Sequence, residues 1–194
     1  VAAATTSLPE RPGGSLNWDY RFAWVRDSAL TVRALTSLGF EDEADAYLSW
    51  LLHATRLTLP EIGVLYDVYG RPPKPEEELP HWSGWRGARP VRIRNAASDQ
   101  LQLDSYGEVI DAIAQYVRRG GTCDKTTWSM LRQLGEFVCR NWDTPDAGIW
   151  EIRGGRRHFT HSKVLCWVAL ERLLEIARRL GYRGLPTALF EANR

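Results

Sequence analysis

Stretches of helical hydrophobic period, separated by linkers that alternate between short and long, constrain this chain more than any single residue does. Apolar residues recur at helical spacing over about 27–38, 41–56, 99–119, 125–142 and 160–180, and a further pattern starts after Pro186. The first pair is joined by a tight turn at Gly39, the next by the long segment 57–98, and the third by Gly120 to Asp124. Then come the long segment 143–159 and the short one 181–186. Helices joined by short turns run antiparallel, so each short turn lies at one end of the assembly and each long loop at the other. The start of the first helix and both long loops therefore share one face. Repeated hairpins without a visible amino-acid repeat predict an all-α toroid or solenoid rather than a simple bundle.

The buried faces are legible. Ala44, Tyr47, Leu48, Leu51 and Leu52 form one stripe of the second helix, and Tyr106, Val109, Ile110, Ile113, Tyr116 and Val117 form one of the third. The fifth is apolar over a wide arc through Val164, Leu165, Trp167, Val168, Leu173 and Ile176, which predicts burial on more than one side. Asp27 or Ser28 is the expected cap of the first helix and Thr160 or Ser162 that of the fifth. Residues 1–16 read as an irregular lead-in. The segment 57–98, holding six of the ten prolines, reads as a functional loop without structure of its own.

Composition removes several classes of function. Lys and Arg total 25 against 24 acidic residues, so the net charge of +1 leaves no electrostatic footprint for nucleic acid or an anionic membrane. No apolar run reaches the ~18 residues of a membrane span, and Val1 to Ala4 do not make a signal peptide. Cys123, Cys139 and Cys166 form neither a CxxC pair nor a disulfide framework; they read as buried free thiols of a cytoplasmic protein. No motif calls for a cofactor. His158 and His161 lack a third ligand and read as loop hydrogen-bonding residues rather than a metal site. Gly84 and Gly87 beside Arg86 and Arg89 precede no helix in a P-loop pattern.

Unusual chemistry is confined to the long-loop face. Asn17 to Asp27 crowd Trp18, Tyr20, Phe22 and Trp24 together with Asp19, Arg21, Arg26 and Asp27, more than a helix start needs. Flat rings beside carboxylate and guanidinium groups suit a sugar, whose C–H faces stack on aromatics and whose hydroxyls take charge-assisted hydrogen bonds. Glu151 directly follows Trp150 in a Gly-bounded turn. An indole that excludes water would raise its pKa and suit it to general-acid work; the competing reading pairs Glu151 with Arg153, Arg156 or Arg157. Asp146, after Pro145, reads as a turn residue. Of nine tryptophans, Trp18, Trp24, Trp82, Trp85 and Trp150 fall in loops where core packing does not explain them, whereas Trp50, Trp128, Trp142 and Trp167 read as core.

Asp19-Tyr20, Trp24, Arg26-Asp27, Gly148-Ile149-Trp150-Glu151 and Ser162-Lys163 together resemble glycoside hydrolase family 15: the glucoamylases, glucodextranases and some bacterial trehalases. The resemblance extends through Leu79-Pro80-His81, Arg89-Pro90-Val91-Arg92, Asn95-Ala96-Ala97, Gln100-Leu101-Gln102-Leu103-Asp104 and Cys166 to Leu170. It implies an (α/α)6 toroid of which 17–194 is about the first half, a partial catalytic domain. It implies Glu151 as general acid, Arg26 and Asp27 gripping sugar hydroxyls, Tyr20 against the ring and Trp24 supporting the acid, with Trp150 among the substrate-binding residues. Ile152 stands where many glucoamylases carry a second Glu.

The family's general base comes from the second half of the toroid, so the chain alone is expected to hydrolyse little and to fold poorly. The function so implied is an inverting hydrolase releasing glucose from α-glucan ends or glucose disaccharides. A trehalase is one alternative, and a non-catalytic sugar-binding module of helical hairpins another.

Overall fold

The computed structural model describes residues 7–193. Six α-helices follow in order: α1 Val25–Ser37, α2 Glu41–Arg56, α3 Asp104–Arg118, α4 Lys125–Asn141, α5 Thr160–Leu180 and α6 Thr187–Asn193. They form three hairpins, half of an (α/α)6 toroid, and the short and long connections alternate as the pattern requires. Among the described residues, no helix is long and apolar enough to cross a membrane. Most of the irregular lead-in is described, but residues 1–6 lie outside the described range.

The segment 57–98 is not structureless. Leu65–Tyr66 (β2) pairs antiparallel with Ala23–Trp24 (β1), and Glu77–Glu78 (β3) pairs with Arg92–Ile93 (β4). Such two-residue strands carry almost no periodic signal, which is why the sequence hides them. The first pairing also replaces the expected cap of α1. Chain direction passes straight from β1 into the helix, and the Val25 N–H donates to the Val64 carbonyl at 2.9 Å. No side chain caps this helix. Ser28 instead bonds the Tyr47 hydroxyl at 2.8 Å, and Asp27 sits exposed in the first turn.

The start of α3 falls at Asp104, later than the period predicts. A 3-10 turn over Ala96–Asp99 comes first, capped by Asn95, whose side chain accepts the Ala97 N–H. Residues 100–103 then run to the helix with Leu103 as its N-cap. Likewise α5 uses neither Thr160 nor Ser162 as its cap; Phe159 holds that position without a side-chain bond. Gly181 closes α5 in the left-handed conformation, where a residue without Cβ is unstrained.

Helix α3 is the centre of the core. Its residues from Asp104 to Ala114 are all buried, with α1 and α5 on either side. Tyr106 stacks on Phe137 of α4 at 4.7 Å between ring centroids. The close approach to α5 requires Gly107, since a Cβ there would lie 2.3 Å from the Leu165 carbonyl oxygen. Not every expected core position is covered. Val164, Trp167 and Trp142 are exposed, Trp167 by 48 %, so the wide apolar arc of α5 includes one open stripe. Of the cysteines, Cys123 and Cys166 are buried, Cys139 is half-buried, and all three are free.

Two stability measurements follow from this packing. Gly107→Ala should lower unfolding stability in urea by about 2 kcal/mol, because overpacking at the helix contact outweighs the ~1 kcal/mol gain in helix propensity. Near the other end of α5, hydrogen bonds from Arg118, opposed in part by burial, hold the Glu175 carboxyl down at about 2. A carboxyl whose pKa is lower folded than unfolded adds stability above its unfolded value and loses it as pH falls toward about 2. Glu175→Gln should therefore lower Tm at pH 7 and leave it nearly unchanged at pH 2.

Candidate active site

The six residues singled out as site residues line one cavity of about 550 Å³ at the long-loop end: Tyr20, Trp24, Arg26, Asp27, Trp150 and Glu151. Ser28, Thr31 and Tyr47 continue its wall. Three segments far apart in sequence supply it: the run from Tyr20 through β1 into the start of α1, Tyr47 of α2, and Ile149 to Glu151 of the loop before α5.

Glu151 is held chiefly through one oxygen. Its Oε1 accepts the Trp24 indole N–H at 2.7 Å, Arg26 Nη2 at 3.3 Å and Gln102 Nε2 at 3.3 Å. Its main-chain carbonyl accepts from Gln100 at 3.3 Å. Among the described residues Oε2 takes no hydrogen bond. Glu151 also adopts φ +52, a conformation that costs a non-glycine residue about 1–2 kcal/mol. The shield expected from Trp150 is absent, because that indole is 80 % exposed. Nor does Glu151 pair with Arg153, Arg156 or Arg157: its ion pair is with Arg26, and Arg153 binds Glu76 at 2.8 and 3.0 Å.

Trp24 has two roles that the sequence did not separate. It is only 8 % exposed and forms a small core with Val64, Leu65 and Ala97, while its N–H reaches Glu151. Tyr20 lies 5.4 Å from it between ring centroids. Burial, and next the Glu151 carboxylate, push the Tyr20 phenol above its ordinary range, so it remains a neutral hydroxyl.

Asp19, Arg21 and Trp18 belong to the scaffold instead. Arg21 binds Asp19 in a fork at 2.8 and 2.7 Å, and the Arg94 N–H adds a bond at 2.8 Å. Burial alone would raise the Asp19 carboxyl, but these bonds outweigh it and hold it below its usual range. The Trp18 ring carries Arg153 at 4.1 Å and Arg92 at 4.8 Å from its centroid.

Asp146 is far more than a turn residue. It is fully buried, and its Oδ2 accepts the Leu103 N–H at 3.0 Å and the Ser162 hydroxyl at 2.7 Å. Its backbone bridges Arg157, closing the loop that carries Glu151. One carboxylate thus joins the starts of α3 and α5 to the base of that loop. His161 lies in the first turn of α5 with Nδ1 buried and unpartnered, so the loop hydrogen bond expected of it is not made. Among the described residues no cluster of His, Cys, Asp or Glu could hold a metal ion.

Sequence reasoning missed Gln100, Gln102 and Asp104 as parts of the site. The available signal was the alternation Gln-Leu-Gln-Leu ahead of α3, which puts both glutamines on one side of an extended run.

A set of helical hairpins with its cavity at the long-loop end defines the (α/α)6 class. The family model described as glycosyl hydrolases family 15 matches residues 1–190. Trehalase 1 of Sulfolobus acidocaldarius is 46 % identical over 181 residues, covering 91 % of this chain and 32 % of the relative. The trehalase of Mycobacterium tuberculosis is 42 % identical, covering 95 % and 28 %. That of Thermoplasma volcanium is 39 % identical, covering 93 % and 29 %. The chain thus spans about three-tenths of the length of these curated relatives. No solved structure matches. The chain belongs to glycosyl hydrolase family 15.

Asp146→Ala should cost about 3 kcal/mol of unfolding stability, since a buried backbone N–H and a hydroxyl lose a charged acceptor. Replacing the acceptor with Asn should cost less, as measured by urea unfolding followed by tryptophan fluorescence.

Proposed function

We propose that this chain supplies the acid and the sugar-gripping wall of an inverting glycoside hydrolase whose substrate is a glucose disaccharide, with trehalose favoured over α-glucan ends. The observation that carries the reading is Glu151 in the wall of the cavity of about 550 Å³, one oxygen fastened by three N–H donors and the other without a hydrogen bond among the described residues. A neutral carboxyl accepts through its carbonyl oxygen and donates through its hydroxyl, so on this reading the donated proton sits on Oε2. Arg26 and Asp27 supply charged hydrogen bonds to hydroxyls, and Tyr20 supplies an aromatic edge for the ring. Membership of the family supports the reaction class. The trehalases among the relatives support the disaccharide, and so the preference for trehalose over glucan ends.

In an inverting reaction the acid protonates the leaving oxygen while a second carboxylate, about 6.5–9.5 Å away, activates water on the opposite ring face. Asp27 is the other carboxylate of the cavity wall, and the reading assigns it to a hydroxyl. The general base is assigned to polypeptide outside these residues, in line with the relatives' greater length. As a domain, 17–194 is the first part of a longer catalytic unit.

The test offers trehalose and maltooligosaccharides side by side to the protein at its natural length. Trehalose should be cleaved at least about tenfold faster in kcat/KM, and Glu151→Gln should lower kcat by about 10²–10⁴ with KM little changed. Activity within tenfold of the unmodified protein would remove Glu151 from the acid role, and preference for maltooligosaccharides would overturn the trehalose assignment.

A further inference from the structure

Asp104 is an expensive residue in the place it occupies. Its side chain is fully buried, its Oδ2 meets Arg26 Nη1 at 3.2 Å, and its Oδ1 is buried with no hydrogen-bond partner. A buried carboxylate with one bare oxygen is a poor stabiliser, because desolvation of the charge outweighs a single contact unless the remaining lone pairs are satisfied. It does not cap α3, whose N-cap is Leu103 without a side-chain bond.

Its contact is with the guanidinium that touches Glu151. Arg26 Nη1 also donates to Gln102 Oε1 at 2.8 Å, and Nη2 donates to Glu151 Oε1 at 3.3 Å. Of this planar, permanently charged group, the Nη1 end faces Asp104, while the Nη2 end faces Glu151 and, at 4.0 Å, the exposed Asp27. Gln102 closes the triangle through its own bond to Glu151.

We propose that Asp104 is a positioning residue for the acid: through Arg26 it aims the guanidinium at Glu151 and offsets the positive charge that would otherwise strip the proton from it. The proposal rests on Glu151 being the general acid. An arginine 3.3 Å from a carboxyl favours the ionised form, and the exposed Asp27, 4.0 Å away, is screened by water and offsets it less than a buried carboxylate does. A compensating carboxylate on the far side of the same arginine weakens that pull without loosening the grip.

The charged surroundings are compatible with this role. On α3 the next acid is Glu108, whose carboxyl is raised by burial and faces Arg33 of α1 and His161 of α5. On α5 the Cys166 thiol, which feels Lys163, Asp146 and Asp104, is pushed up to about 12 by burial and stays neutral. Asp146 fixes the Leu103 N–H next door. On the Glu151 side the other groups are Asp27, whose exposed carboxylate lies 4.0 Å from Arg26 Nη2, Arg153, itself paired with Glu76, and the Tyr20 hydroxyl. Arg26 is the group that makes direct contact with both Asp104 and Glu151.

An acid in the first turn of α3 also suits the helix dipole, and that bland role predicts a different outcome. In the protein at its natural length, Asp104→Asn should move the alkaline limb of the kcat/KM profile on trehalose to lower pH, while Glu151→Gln abolishes most activity at every pH. A limb that stays in place while activity falls uniformly would reduce Asp104 to a structural part. If Glu151→Gln keeps its activity, the acid assignment fails instead, which separates the two claims.

Should the Asn variant not fold, the unmodified protein still tests the clamp on which the proposal depends. With ¹⁵N-arginine, a clamped Arg26 should give two resolved Nη signals, assigned by their loss in Arg26→Lys. A single averaged signal would show that the guanidinium is not clamped and would overturn the proposal.

Discussion

The site depends on one buried carboxylate that does no chemistry in it. Asp146 accepts from the first residue before α3 and from the first turn of α5, and its backbone pairs with Arg157 at the neck of the Glu151 loop. Next to it, the Ala147 N–H donates to the Leu101 carbonyl at 2.9 Å, fastening the same loop to the run that bears Gln100 and Gln102. Helix starts leave backbone N–H groups without partners, and a buried anion is the natural acceptor for them. Here that general need also fixes where the acid stands relative to Trp24 and Arg26.

Much of this was legible from residue order. Helical period and linker length gave three hairpins with both long loops at one end, because burial on one face forces a 3.6-residue repeat and short turns force antiparallel neighbours. The six candidate residues stood out because aromatic, arginine and carboxylate groups crowd there, although nothing in the sequence shows that Trp24 also belongs to a small core with Val64, Leu65 and Ala97. What stayed hidden has a common cause: side chains satisfied by partners remote in sequence. Asp146 looks like a turn residue until Leu103 and Ser162 are beside it. Ser162 looks like a cap until Asp146 takes its hydroxyl. Trp18 looks like a sugar platform until Arg92 and Arg153 occupy its ring. Trp167 reads as core by period alone, and period does not say whether a neighbour covers the stripe.

Polar groups also organise the interior. Asp104, Glu108 and Asp111 lie along one line of α3, a helix otherwise buried among apolar side chains, and each faces an arginine from a flanking helix. Asp111 holds Arg172 of α5 at 2.6 Å, and Arg33 of α1 lies 3.9 Å from Asp111 and 4.0 Å from Glu108. The buried acids of this seam favour positions of α1 and α5 that keep an arginine opposite each of them, although Arg33 itself is 45 % exposed. The apolar contacts hold the helices together, and the seam favours one register.

The Trp24 to Glu151 bond spans 127 positions of the chain. Synthesis proceeds at about 5–20 residues per second, so the tryptophan and Arg26 emerge roughly 6–25 s before the acid they hold. Gln102 and Asp104, the other partners of Arg26, also precede residue 151 in the chain. The loop that bears Glu151 is thus made after every side chain that holds its carboxylate, and before α5, whose Ser162 fastens the base of that loop through Asp146.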